Sequence, residues 1–126
     1  MSVPADLVYT RDHEWLREEG AVAVVGITQH AQEQLGDVVF VDLPAVGTPV
    51  TQGAAFGTVE SVKAVNDLFA PASGEVVAVN GTLANEAALV NQDPYGKGWM
   101  IKLKLSNRAE LQKMLSPADY EKLLHG

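Results

Sequence analysis

Short runs of β-favouring residues, most of them rich in valine, recur along almost the whole of this chain. Most are bounded by glycine, proline, asparagine or aspartate, which supply the turns that strands require. The runs cover residues 7–10, 21–25, 38–43, 56–62, 74–79 and 99–105. The sequence therefore predicts a mainly β fold with antiparallel strands. The aromatic residues in β-type stretches, expected to pack in the core or at its rim, are Trp15, Phe40, Phe69 and Trp99.

Helix signals are fewer and lie in two regions. In the first region, Thr28 can cap the N-terminus of a short helix after Ile27, and Gly36 can adopt the left-handed conformation at its end. In the C-terminal tail, a helical stretch is predicted from residue 106 or 107 to 115, and residues 116–119, Ser-Pro-Ala-Asp, favour the start of another helix. The apolar side chains expected to dock these C-terminal helices on the sheet are Leu111, Met114, Leu115, Leu123 and Leu124.

One six-residue pattern, Gly-acid-Val-Val-x-Val, occurs twice. Its copies lie at residues 36–41 and 74–79, a spacing of 38 residues. Two short matches are weak evidence for a repeat. Their position on either side of residues 56–70 nevertheless predicts two similar halves that pair around a central hairpin.

Charge and composition exclude several functional classes. The formal net charge is −7 and the basic residues are scattered, so phosphate backbones and anionic membranes would be repelled. The chain has no cysteine, so any redox chemistry must come from a cofactor. The N-terminal residues lack a basic segment followed by an apolar one, so a cytoplasmic location is expected, with a processed organellar form left open.

The motifs of several enzyme classes are absent from the sequence. Neither the dinucleotide fingerprint nor the Walker pattern occurs. His13-Glu14 lacks the second histidine of a zinc protease motif, because Arg17 stands four residues after the first. The scattered histidines, which are expected in polar packing rather than in a metal site, are His13, His30 and His125.

A lysine stands in the middle of the segment between the two copies of the pattern. Successive side chains over residues 59–62 are expected to alternate between the two faces of a strand. Residues 66–67, Asn-Asp, favour a turn. Lys63 is therefore expected near the tip of a hairpin, although a lone exposed lysine is most often only a solvated charge.

The residues around this lysine resemble a known family. The string Glu-Ser-Val-Lys-Ala at residues 60–64, followed by Ala-Pro-Ala-Ser-Gly-Glu-Val-Val, resembles the attachment site of biotinyl and lipoyl carrier domains. Biotin carriers usually place methionine on both sides of the lysine, and the lipoyl domains of 2-oxo-acid dehydrogenases favour aspartate before it. Here Val62 and Ala64 stand on either side of the lysine, and the string Glu-Ser-Val-Lys-Ala resembles the H proteins of glycine cleavage systems instead. Further blocks that resemble this family, in family order, are residues 13–15, 25–28, 30–32, 35–44, 89–96 and 98–99.

This resemblance implies a fold, a cofactor and a set of partners. The fold is a barrel-like sandwich of two antiparallel sheets, forming a single lipoyl-carrier domain over residues 1–126. Lipoate would be joined by an amide to Lys63, attached by a lipoate ligase or a lipoyl or octanoyl transferase. A pyridoxal-phosphate glycine decarboxylase would load an aminomethyl group, a tetrahydrofolate-dependent aminomethyltransferase would remove it, and dihydrolipoyl dehydrogenase would reoxidise the arm. The carrier itself would catalyse no step.

The same resemblance implies two groups of site residues. Those implied to guide the lipoylation of Lys63 are Glu60, Ser61, Val62, Ala64 and Gly74. Among these, a glycine without Cβ would permit a tight backbone. Those implied to form the cleft for the aminomethyl-bearing arm are Glu14, Asp67 and Asp12, although exposed acids are most often only solvated.

Three other functions remain open at this point. The chain could be a lipoate-relay protein that donates lipoyl groups to other lipoyl domains. It could also be an unmodified interaction module that uses its acidic surface. A third possibility is an autonomous enzyme with Glu14 and Asp67 as acid and base.

Overall fold

A computed structural model of the chain describes residues 3–125, which form nine strands and five short helices. The strands are β1 (Val8–Tyr9), β2 (Glu14–Glu19), β3 (Val22–Ile27), β4 (Val38–Asp42), β5 (Pro49–Val50), β6 (Ala55–Ser61), β7 (Val65–Phe69), β8 (Gly74–Val79) and β9 (Ile101–Leu105). The α-helices are α1 (Gln29–Leu35), α2 (Leu89–Gln92) and α3 (Pro117–His125). Two 3₁₀ helices span Gly81–Ala84 and Arg108–Lys113.

The strands form two sheets in which every pairing is antiparallel. The larger sheet has the order β1-β2-β3-β9-β8-β5, and the smaller sheet has the order β4-β6-β7. The predicted fold class, a mainly β sandwich with a short helix after Ile27 and helices at the C-terminus, is confirmed.

The main core lies between the two sheets, because alternate residues of each strand face inward. The larger sheet contributes Val25, Ile101 and Leu103, and the smaller sheet contributes Val59 and Leu68, all nearly fully buried. Residues on the opposite face of the larger sheet form a second, smaller cluster with α3 and the chain before β1. The buried members of this second cluster are Leu7, Tyr9, Trp15, Val24 and Tyr120.

The repeated sequence pattern has a structural counterpart. The first copy forms β4 in the smaller sheet, and the second copy forms β8 in the larger sheet. Each strand has an irregularity at the same point of the pattern, between Val38 and Phe40 in β4 and between Val76 and Ala78 in β8. A bulge leaves one residue unpaired, here an exposed valine at position 39 or 77. The two strands are therefore equivalent in shape as well as in sequence.

The cap predictions are largely confirmed. The Thr28 side chain accepts a hydrogen bond from the Ala31 amide at the start of α1, and the Ser116 hydroxyl accepts one from the Asp119 amide at the start of α3. Gly36 ends α1 with a positive φ of 76°, as predicted. Its ψ of −156° lies outside the left-handed helical region, so the residue does not adopt the left-handed helical conformation itself.

The expected turn at residues 66–67 is wrong. Asn66 and Asp67 lie in β7, opposite Val59 and Thr58 of β6. The chain reverses earlier, at residues 61–64, where a serine side chain satisfies the backbone of the turn. A local side-chain hydrogen bond of this kind competes successfully with the turn preference of the later pair.

Several other expectations need correction. Strands β2 and β5 and helix α2 lie outside the predicted elements, and the stretch at Arg108–Lys113 is a 3₁₀ helix. Phe40 is 50% exposed rather than in the core. Leu123 is also exposed, whereas the other apolar residues expected to dock the C-terminal helices, Leu111, Met114, Leu115 and Leu124, pack against one of the two clusters. None of the helices within residues 3–125 combines the length and apolar character needed to cross a membrane.

The position of Gly74 generates a prediction about stability. A Cβ at Gly74 would overlap the Lys104 carbonyl oxygen in β9, whereas a Cβ at Gly81 would enter open space. Gly74→Ala should therefore lower the free energy of unfolding by about 1 to 3 kcal/mol, a typical cost of overpacking. Gly81→Ala is the control and should change it by less than about 0.5 kcal/mol. Urea denaturation measures both; equal stabilities of the two variants would contradict the close approach.

Candidate functional site

Lys63 lies in the turn of residues 62–64 that joins β6 to β7. The Ser61 amide donates to the Ala64 carbonyl at 2.8 Å, which closes the turn. The Ser61 hydroxyl oxygen accepts hydrogen bonds from the Ala64 amide at 3.2 Å and from the Lys63 amide at 3.4 Å. The Val62 amide donates to the Asp37 carbonyl at 3.0 Å, which fastens the turn to the chain before β4. The tip of the hairpin is thus a fixed platform, and the predicted place of Lys63 on it is confirmed.

The Lys63 side chain itself is exposed. A Cβ built on Gly36 would lie 3.7 Å from Lys63 Cε, so the lysine side chain passes over the backbone that ends α1. Within residues 3–125, no carboxylate forms an ion pair with its amine. An accessible amine without an ion-pair partner is available as a nucleophile for acylation.

Asn91 connects the segments next to this lysine by hydrogen bonds, and it was not predicted to be a site residue. Its Nδ2 donates to the Gly36 carbonyl at 2.8 Å and to Gln32 Oε1 at 2.9 Å. Its Oδ1 accepts from the Val38 amide at 2.8 Å. Asn91 thereby joins the end of α1 to the start of β4. Asn91 lies in residues 89–96, one of the blocks that resemble the family, and this resemblance is the only sign of its role in the sequence.

A cleft with a volume of about 440 Å³ opens beside the hairpin tip. One wall is formed by the β6–β7 hairpin and its edge strand β7, including Ala64 next to the lysine. The second wall is the end of α1, with Gln34 and Leu35, and the floor is formed by residues 11–14 and Ile27. Carbon surfaces and polar atoms therefore both face the space.

Glu14 places a buried carboxyl group in this cleft, with only 3% of the residue's surface exposed. The Thr10 hydroxyl donates to Glu14 Oε1 at 2.7 Å, and the Phe69 amide donates to Oε2 at 3.3 Å. Burial raises the pKa of Glu14 to about 7, because removing water from a carboxyl disfavours its charged form. The two hydrogen bonds act in the opposite direction, since they favour the carboxylate.

Asp12 and Asp67 line the same cleft, but both are exposed. They approach it from different parts of the fold: Asp12 precedes β2, whereas Asp67 lies in β7 at the edge of the smaller sheet. The structure therefore brings together the three acids that the sequence nominated for one cleft. Of these three, Glu14 is the one shielded from water.

A hydrogen-bonded network behind the cleft was also missed in the sequence. His13 has a positive φ of 68°, and its Nδ1 lies 2.8 Å from the Tyr120 hydroxyl. The same hydroxyl is 2.7 Å from Thr28 Oγ1, and the Tyr120 ring stacks on Tyr9 with centroids 4.5 Å apart. Burial and the neighbouring His30 lower the pKa of His13, with Asp12 opposing. The network ties helix α3 to a residue of the cleft floor, and it fits the expectation of polar packing for His13; His125 is exposed instead.

The residues nominated for recognition by a lipoylating enzyme are separated by the fold. Glu60 and Val62 are exposed at the tip, Ala64 is exposed at the mouth of the cleft, and Ser61 is buried beneath the turn. Gly74 is not at the tip. It lies beyond the opposite end of the hairpin, in the larger sheet, where it pairs with Val50 and Leu105. Its tight backbone packing constrains the pairing of β8 with β9, and not the shape of the turn.

Comparisons with known proteins identify the family. The family model described as glycine cleavage H-protein matches residues 7–126. A glycine cleavage system H protein of Carboxydothermus hydrogenoformans is 57% identical over 122 residues, covering 97% of this chain and 94% of that protein. Another, of Symbiobacterium thermophilum, is 58% identical over 120 residues, covering 95% and 94%. The crystal structure of a glycine cleavage system H protein from Mycobacterium marinum superposes with a TM-score of 0.87 at 40% identity, covering 98% of this chain and 99% of the other.

Both the sequence match and the structural match extend over nearly the whole chain, so they confirm the resemblance drawn from the residues around Lys63. They also set aside the alternative of an autonomous enzyme. The chain belongs to the glycine cleavage H-protein family, whose members are non-catalytic carrier subunits.

Proposed function

We propose that this chain carries lipoate in amide linkage on Lys63 and presents it to the enzymes of a glycine cleavage system. The observation that carries the proposal is an exposed lysine on a hydrogen-bonded hairpin tip, beside a cleft that contains a buried carboxyl group. A fixed tip restricts the region that a tethered group samples, which raises its effective concentration at each partner. The partners are glycine decarboxylase, the aminomethyltransferase and dihydrolipoyl dehydrogenase, together with a lipoate ligase or a lipoyl or octanoyl transferase.

The residues present fit this cofactor. Lys63 offers the amine that an amide requires, and the cleft beside it is lined by both carbon surfaces and polar atoms, with a carboxyl group at its floor. A lipoyl-lysine arm reaches on the order of 14 Å at ordinary bond lengths. When bound, lipoate would supply the redox-active sulfur that a chain without cysteine lacks. The aminomethyl group of glycine would be the cargo, taken up at the decarboxylase and given up at the aminomethyltransferase.

Glu14 is proposed to recognise the primary ammonium group of that cargo. A carboxyl group with a pKa near 7 is readily converted to the carboxylate when a cation approaches. A charge-assisted hydrogen bond in a sheltered site contributes about 1.5 to 3 kcal/mol. Asp12 and Asp67 are exposed, so water and salt screen their contribution to the attraction. Cargo that is held in the cleft would be kept from water between partners.

The lipoylating enzyme is proposed to recognise the shape of the hairpin and the residues at its tip. Glu60, Val62 and Ala64 are accessible to such an enzyme, and Ser61 acts through the turn that it holds. Gly74 would contribute through the stability of the larger sheet, since a side chain there meets the β9 backbone.

The first prediction from this proposal concerns the site of lipoyl attachment. Lys63→Arg keeps the positive charge but removes the amine nucleophile, so it should fold normally and carry no lipoyl group. Intact mass and peptide mapping of protein from lipoate-supplied cells provide the measurement. Lys97→Arg is the control and should be modified like the wild type. Lipoyl found on any lysine other than Lys63 would refute the assignment.

The second prediction concerns protection of the cargo. Glu14→Gln removes the negative charge but keeps the size of the side chain, so the loaded carrier should lose its cargo to water several-fold faster. Lipoylation of Lys63 should be unchanged. The half-life of the loaded carrier without aminomethyltransferase is the quantity to measure, and Asp12→Asn serves as an exposed control with a smaller expected effect. Equal half-lives in Glu14→Gln and the wild type would show that Glu14 gives no protection.

The third prediction concerns the pH dependence of stability. Because the folded-state pKa of Glu14 is raised from 4.5 to about 7, the wild type should lose stability as the pH rises between these values. One pKa unit corresponds to about 1.4 kcal/mol. Relative to the wild type, Glu14→Gln should therefore gain about 2 to 3 kcal/mol in unfolding free energy between pH 5 and pH 8. Urea denaturation at the two pH values tests this, and a pH-independent difference would exclude a raised pKa.

A further inference from the structure

Exposed apolar side chains are concentrated around the hairpin tip. Val39, Phe40, Val62 and Val65 are 52%, 50%, 69% and 64% exposed, and we refer to these four residues as the tip patch. They come from β4, from the turn and from the first position of β7. Solvating an aromatic ring and three valines at one end of the molecule has no advantage for the isolated fold, so this concentration of exposed apolar side chains points to an interaction site.

The register of the smaller sheet places part of the patch in one row. Phe40 lies directly opposite Glu60, and Glu60 lies directly opposite Val65 on its other side. Directly opposed residues project from the same face of a sheet. The exposed carboxyl group of Glu60 therefore stands between two exposed apolar side chains.

The charges around the patch have one sign, apart from the lysine. On the same face, the next row has Asp42 and Asp67 on either side of Thr58. Strands β4, β6 and β7 contain no lysine or arginine. A complementary partner surface is therefore apolar with basic residues at its centre and along one side.

We propose that the tip patch is the docking surface for the enzyme that acylates Lys63, with Glu60 pairing with a basic residue of that enzyme. This inference rests on the proposed function, because it requires that Lys63 be acylated. In the reaction, the lysine amine attacks the activated carbonyl carbon of lipoate, an amide C–N bond forms, and the activating group leaves with the electron pair of its bond. The amine proton passes to solvent.

Reach distinguishes this enzyme from the other partners. The acylating enzyme must bring its active site to Lys63 Nζ, only about 6 Å from the lysine Cα at ordinary bond lengths. Its surface must therefore contact the residues next to the lysine, among them Val62 and Val65. Enzymes that act on the far end of the arm, on the order of 14 Å away, can do so without touching this face.

The other side of the hairpin is not available for such docking. Val59, Ser61 and Leu68 face inward and are buried. The residues beyond them line the cleft or the core between the sheets. An enzyme that engages the hairpin at Lys63 therefore approaches over the tip or over the face that carries the tip patch.

The fold supplies a matched control for this proposal. Val39 and Val77 occupy the same position in the two copies of the repeated pattern, each in the irregular segment of its strand. Val77 is 37% exposed but lies in the larger sheet, outside the tip patch. Equivalent substitutions at the two positions therefore perturb similar local structures at different places on the surface.

The experiment measures kcat/KM for lipoylation of the full chain by a purified lipoate ligase with lipoate and ATP. Phe40→Ala and Val39→Asp should each reduce kcat/KM about tenfold, mainly through a higher KM, as expected for central contacts of an interface. Glu60→Gln should lower it and weaken its dependence on salt. Val77→Asp should match the wild type. Circular dichroism and urea denaturation confirm that each variant is folded.

The outcomes separate this inference from the function on which it rests. If wild-type Lys63 is not lipoylated, the proposed function fails. If the wild type is lipoylated and Phe40→Ala and Val39→Asp match it while folded, the docking surface alone is refuted. Loss of exchange with glycine decarboxylase in these variants, at normal lipoylation, would assign the patch to that partner and overturn the inference. So would a dimer in sedimentation that Phe40→Ala dissociates.

Discussion

The close approach of backbone to backbone at two glycines is the constraint on which the sandwich depends. A Cβ at Gly57 would overlap the Asp42 carbonyl oxygen of β4, and a Cβ at Gly74 would overlap the Lys104 carbonyl oxygen of β9. The first contact lies in the smaller sheet and the second in the larger sheet, so a side chain at either glycine would push two paired strands apart. The β6–β7 hairpin lies between them along the chain, so its base is fixed on both sides. The position of the tip follows from this arrangement.

Much of the fold could be predicted because valine-rich runs and glycine boundaries act locally. The alternation over residues 59–62, the Thr28 cap and the start of α3 all depend on neighbours within a few residues. Strand β2 was harder to find, because it ends in exposed charged residues, and its strand character comes from pairing with β3. The position of the hairpin turn was misjudged for a similar reason. The local turn preference of residues 66–67 was overridden by the hydrogen bonds of Ser61 and by pairing across the sheet.

The candidate site shows the same division between local and long-range information. Lys63 and its flanking residues are contiguous, so a string of five residues was enough to nominate the attachment site. Glu14 could be nominated from the family resemblance, but the burial that raises its pKa comes from the fold, which also brings the Phe69 amide, 55 residues away, within hydrogen-bond distance of its carboxyl group. The roles of Asn91 and Tyr120 likewise arise from contacts between distant segments. Such contacts leave no periodic or local pattern in a single sequence.

Strands β4, β6 and β7 contain no basic residue, and Lys63 lies in the turn between two of them. Acylation of Lys63 would therefore change how the protein behaves in an electric field. An amide at Lys63 would remove a positive charge and make the formal net charge of −7 one unit more negative. The change would fall on the end of the molecule where Glu60, Asp42 and Asp67 already create a negative potential. The modified form would thus have a larger dipole, and it would turn this end more strongly towards any basic surface that it approaches. Ion-exchange chromatography would separate the two forms on the same basis.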